Sequence, residues 1–130
     1  MDLTALAAIT YTIAPAGVIA FQVAMALGAP WGAYAMGGAS PGRFPPAMRV
    51  AALVQAAVLG MLAVAVLSCA GLALPSVAEA YPWLIWVAVA VSALSVLLNA
   101  ITRSAGERRI WLPVALTLLV CSATVALTAG

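Results

Sequence analysis

Apolar positions in this chain come in four unbroken blocks, not in alternation: Leu3–Leu27, Val50–Leu74, Trp83–Ile101 and Ile110–Leu127. None of the four contains a charged residue. About 20 apolar residues suffice for a helix to cross the hydrocarbon core of a bilayer. Backbone groups in lipid must be satisfied within the segment itself, so helix is the conformation such blocks dictate. A membrane β-barrel would alternate apolar and polar positions instead. The pattern predicts an all-α fold: a transmembrane four-helix bundle forming one domain over residues 1–130.

The connections are unequal. PSVAEAYP (75–82) and TRSAGERR (102–109) are short, which predicts antiparallel neighbours for the second and third spans and for the third and fourth. The first connection, GAPWGAYAMGGASPGRFPPAMR (28–49), is much longer and carries no charge before Arg43. Trp31, Tyr34 and Met36 fit an interfacial or shallow re-entrant cap better than a solvated loop, with Trp31 and Tyr34 at headgroup level.

Charge then sets an orientation. All five basic residues are arginines: Arg43 and Arg49 in the first connection, Arg103, Arg108 and Arg109 in the third. The N-terminus, the second connection and the C-terminus have none. The positive-inside rule places both arginine-bearing connections in the cytoplasm and both termini on the outer side. The start Met1-Asp2 lacks the basic region of a cleavable signal, so the first block is expected to remain as a span.

Composition agrees with a membrane class. The chain is 67% hydrophobic and 6% charged, against about 25% charged in soluble domains. A net charge of +2 is too small to suggest nucleic-acid binding. Arginine as the only basic residue, with much Ala, Val and Leu, suits a bacterial plasma membrane protein.

Within the first block, Ala16, Ala20, Ala24, Gly28 and Gly32 recur every fourth residue. Such a ridge lets helix backbones approach closely and is a candidate interface with a second copy or another membrane protein. Pro15 is expected to kink this span by removing the hydrogen bond to the Tyr11 carbonyl. Gln22 and Gln55 lie at matching depth, five residues inside Leu27 and Val50 respectively, and can pair across two helices. With Asn99 they gather toward the arginine end, beneath Trp31 and Tyr34. These five residues form the candidate polar binding pocket.

The chemistry of an enzyme is missing from this pattern. There is no histidine, and Asp2, Glu79 and Glu107 fall in connections, far apart in sequence, giving no paired carboxylates for acid–base work. Cys69 and Cys121 lie in apolar blocks without metal-ligand spacing and read as small hydrophobes, although their similar depth leaves a disulfide open. No catalytic residue, metal site or cofactor is expected, and the blocks hold no carboxylate for ion-coupled transport.

The strings GAPWGAYAMGG, PGRFPP with Arg49, and Asn99 followed by SAGERRIW with Pro113 resemble a group of small, uncharacterised bacterial integral membrane proteins. The resemblance covers Phe21 to Pro113 and implies a four-helix membrane protein with no assigned activity. Two functional classes follow from the residues. The first is a non-enzymatic protein embedded in the lipid bilayer that acts as a homo-oligomer or as an accessory subunit of a membrane complex. The alternative is a small uncoupled channel or transporter for a neutral or hydrophobic solute, or a lipid- or quinone-binding protein.

Overall fold

The computed structural model describes residues 2–35, 38 and 41–129; Met36, Gly37, Ala39 and Ser40 of the expected cap lie outside the described residues. No strand occurs among the described residues, and the fold is all-helical.

The first apolar block forms two helices end to end, α1 (Leu3–Ile13) and α2 (Ala16–Ala26). Asp2 caps α1, its carboxylate accepting from the Ala5 amide at 2.7 Å, as an N-terminal acid should. Pro15 has no amide proton to give to Tyr11, and the helix breaks there. The break is local: Ala14 N–H still reaches the Thr10 carbonyl at 2.9 Å, and Ile19 N–H reaches the Pro15 carbonyl at 2.8 Å.

Two glycines end helices where apolarity alone predicts continuation. After α2, Gly28 has φ +102°. Its N–H bonds the Met25 carbonyl, and Ala29 N–H bonds Ala24. That paired arrangement is a Schellman cap, which needs a left-handed residue and favours glycine. Gly71, at φ +77°, does the same after α3 through Gly71 N–H to Ser68 and Leu72 N–H to Leu67. Hence α3 runs Pro46–Cys69, starting before the expected Val50 and stopping short of Leu74. Pro46 occupies its first turn, where a missing amide costs nothing.

The short second connection contains a further helix, α4 (Pro75–Ala80), which block length did not predict. α5 (Leu84–Ile101) matches its block. α6 (Ala105–Thr128) begins earlier than Ile110, because Ser104 caps it by accepting from the Glu107 amide at 3.1 Å. Glu107, Arg108 and Arg109 are therefore helical.

Four helical segments are long and apolar enough to cross a membrane: α1 with α2, α3, α5 and α6. Only 17–28% of their most apolar stretches is buried inside the bundle. Leu27, Met61, Ile101, Val120 and many other large apolar side chains face outward. A surface of that kind suits lipid and not water.

Two cores hold the bundle. The larger fills the half nearest the termini: Ala8 and Tyr11 from α1, Leu62 and Val66 from α3, Ile85 and Ala88 from α5, and Leu118, Cys121 and Val125 from α6. Thr4 and Thr128 hydroxyls meet at 2.6 Å and tie the ends of α1 and α6. The smaller core lies at the arginine end, where Met25, Ala35, Phe44 and Ala52 pack α2, α3 and the first connection together. Thus α1 packs on α6 and α3, whereas α2 packs on α3. The Pro15 break falls between these two sets of contacts. α3 packs on α5 and, more lightly, on α6, whereas between the two cores α2 stands apart from α5 and α6.

Candidate functional site

That separation leaves a cavity of about 570 Å³ in the arginine-end half of the bundle. Sites for small organic molecules usually fall between about 300 and 1,000 Å³. Its walls are mainly apolar, with Val18 and Phe21 from α2, Val58 and Leu59 from α3, Val91 and Leu98 from α5, and Val114 and Leu118 from α6. Its polar groups are few: Gln22, Gln55, Ser95, Asn99, Thr102 and Glu107, with the polar edges of Tyr34 and Trp111.

Gln22 Nε2 donates to Gln55 Oε1 at 2.7 Å, joining α2 to α3. Gln22 Oε1 is buried and has no partner among the described residues. A buried acceptor left unmatched costs about 1–3 kcal/mol. Asn99 spends one amide proton on the Ser95 carbonyl, one helical turn back, at 2.7 Å.

The first connection forms the roof. A single 3₁₀ turn, Gly32–Tyr34, sits over the start of α6. Ser104 Oγ, besides capping α6, donates to the Ala33 carbonyl at 2.6 Å. Trp111 Nε1 donates to the Tyr34 carbonyl at 2.9 Å. The Tyr34 ring lies flat enough against Gly106 that a β-carbon there would overlap ring carbons. On the other flank, Arg49 Nε donates to the Phe44 carbonyl at 2.9 Å, and Phe44 is buried beneath the roof. Phe21 stacks on Trp31 with centroids 6.3 Å apart and meets Trp111 at 5.0 Å. The second contact bridges α2 and α6 where their backbones have parted. Aromatic pairs of this kind contribute about 0.5–1.5 kcal/mol beyond their burial.

Of the residues expected to form a polar pocket, Gln22, Gln55, Asn99 and Tyr34 meet around this one cavity. Trp31 does not reach the wall; it is 47% exposed and packs on the outer side of Phe21. The small-residue ridge is not one surface, which corrects the expectation of a continuous stripe. Ala16 and Ala20 face outward and Ala24 is half-buried. Gly28 and Gly32 lie beyond the end of α2, Gly28 against the Arg49 guanidinium and Gly32 buried in the 3₁₀ turn. The helix stops because the Schellman geometry at Gly28 turns the chain away. Cys69 and Cys121 are free thiols, with Cys121 buried in the larger core.

Glu107 is a second correction. Read from sequence as lying in a connection outside the spans, it is helical, 8% exposed and lines the cavity. The missed signal is the spacing Ser104-x-x-Glu107. A Ser followed three residues later by Glu marks a helix start, and this would have moved Glu107 onto a helix. Gly106 and Phe21 were equally silent, because each matters only through the roof it touches. No family model, curated protein or solved structure matches the chain, and the geometry stands by itself.

Proposed function

We propose that this protein is a non-enzymatic plasma membrane protein of bacteria that binds a small, largely apolar molecule with a hydrogen-bonding head. The molecule lies among α2, α3, α5 and α6. The observation carrying this reading is the cavity itself, apolar along most of its wall, with Gln22, Gln55 and Asn99 grouped on it beneath a built roof. Arginine placement supports an orientation with the roof in the cytoplasm and both termini outside. The bound molecule then lies in the inner leaflet, where an apolar solute reaches it from lipid. Carriage of that solute, or its retention as a lipid or quinone, both begin with this binding step.

Filling the cavity tests the reading. Ala115 is 3% exposed and on the wall, so Ala115→Trp, or Val58→Trp from the opposite side, places an indole where the solute would sit. Native mass spectrometry of protein released from its own membrane should show a retained small molecule in the natural chain. Both filled variants should lose it, and Ala57→Trp on the exposed face of α3 should keep it. Identical spectra from natural and filled proteins would sink the proposal.

Self-association is a second reading, favoured by one observation. Ala16, Gly17 and Ala20 face outward, and a β-carbon added at Gly17 would meet nothing within 4 Å. This flat strip offers a second copy close helix approach. Ala20→Leu should then convert a cross-linked dimer in native membranes to monomer, and an unchanged cross-linking pattern would exclude that strip.

A further inference from the structure

The charge on the cavity wall runs opposite to the charge around it. Five arginines crowd this end of the bundle, which at first sight suggests a site for an anion. None of them lines the cavity. Arg49 donates to the Phe44 carbonyl, Arg108 donates to the Thr102 carbonyl at 3.1 Å, and Arg43, Arg103 and Arg109 are exposed. Charges facing solvent are screened over about 8–10 Å at ordinary salt. The wall itself holds one acidic side chain, Glu107, and no basic one. Glu107 keeps its backbone amide on Ser104 and, 8% exposed, lines a space whose wall is mainly apolar. Phe21, Tyr34 and Trp111 add aromatic surface, and ring faces attract cations, more strongly where water is excluded.

We infer that the cavity selects lipophilic organic cations, with Glu107 and the aromatic rings of Phe21, Tyr34 and Trp111 as the recognition elements. This rests on the reading of the cavity as a binding site, and it narrows the solute from apolar molecules in general to those carrying a positive charge. Glu107 is the charge partner, and the rings supply contact that tolerates varied cation shapes. The arginines outside the wall repel cations only weakly and leave the selection to the interior.

Tetraphenylphosphonium and tetraphenylborate separate the two levels of the argument, because they share size and shape and differ in the sign of charge. Binding of each to the full-length protein in a non-ionic detergent is measured by equilibrium dialysis. The Ala115→Trp variant is subtracted to remove uptake by micelles. Expected is Ala115→Trp-sensitive binding of the phosphonium ion, with at least tenfold weaker binding of the borate. Glu107→Gln should abolish that preference. Phe21→Leu, which leaves the carboxylate in place, should weaken phosphonium binding several-fold, so the inference stays testable if Glu107→Gln fails to fold. Equal or tighter Ala115→Trp-sensitive binding of the borate overturns the cation inference and leaves the cavity reading standing. No Ala115→Trp-sensitive binding of either ion overturns both. Full phosphonium binding by folded Glu107→Gln and by Phe21→Leu overturns the assignment of the recognition elements.

Discussion

Replacing Gly106 with alanine is expected to open the roof of the cavity while leaving the helices intact. The added methyl would overlap the Tyr34 ring, which lies directly on Gly106. Overpacking of this kind costs about 1–3 kcal/mol. Alanine also favours helix over glycine by roughly 1 kcal/mol, but that gain belongs to α6 whether the roof is on or off. Only the closed roof carries the clash, so the closed-to-open balance shifts by the clash alone. A shift of about 1.4 kcal/mol changes that balance tenfold. Ser95 lines the cavity, so a Ser95→Cys reporter, in protein with both natural cysteines replaced by alanine, reads the opening directly. Maleimide labelling of the reporter should accelerate roughly tenfold in Gly106→Ala, given that conversion. Circular dichroism should remain helical. An unchanged labelling rate would mean that Tyr34 and Gly106 do not hold the roof.

Pro15→Ala is expected to act in the opposite sense. Proline in a helix interior costs about 3 kcal/mol or more relative to ordinary residues. Alanine restores an amide that can bond the Tyr11 carbonyl and would straighten the first span. A straight span cannot both pack α1 on α6 and lean α2 onto α3, as the broken one does. The α1 contacts belong to the larger core and include Ala8 and Tyr11, at 0% and 1% exposure. They should hold, and α2 should swing toward the α5–α6 pair. The cavity then narrows, and the Gln22–Gln55 bond of 2.7 Å is strained or lost. Labelling at Ser95→Cys should slow and phosphonium binding should fall, while the thermal midpoint is unchanged or higher. A variant that keeps both the labelling rate and phosphonium binding at natural values would show that the break does not set the cavity.

The architecture was legible in sequence because its causes are local. Uninterrupted apolarity over about 20 residues forces a helix in lipid irrespective of neighbours, and four helices long and apolar enough to cross a membrane lie where the blocks do. Depth was legible for the same reason. Gln22 and Gln55 sit equally far inside their blocks, and antiparallel neighbours with a constant rise per residue bring them level. Helix ends were less legible. Gly28, Gly71, Pro46 and Ser104 decide them through backbone geometry, and hydropathy does not register a positive φ or a cap.

Residue order thus determined an all-helical chain with four membrane-length helices, a break at Pro15, and amides grouped with the arginines at one end. Only the tertiary structure decided that these amides face a shared cavity. It also put Glu107 on the cavity wall, set the arginines outside it, and locked the long connection onto α6 through Ser104, Gly106 and Trp111. Those outcomes depend on which way each helix is rotated and where α2 parts from α5 and α6. In lipid, apolar burial barely distinguishes one rotation from another. Rotation is set instead by close packing around small residues such as Ala8, Ala52 and Ala88, and by a few long-range polar contacts. A linear pattern of apolar blocks carries little of that information.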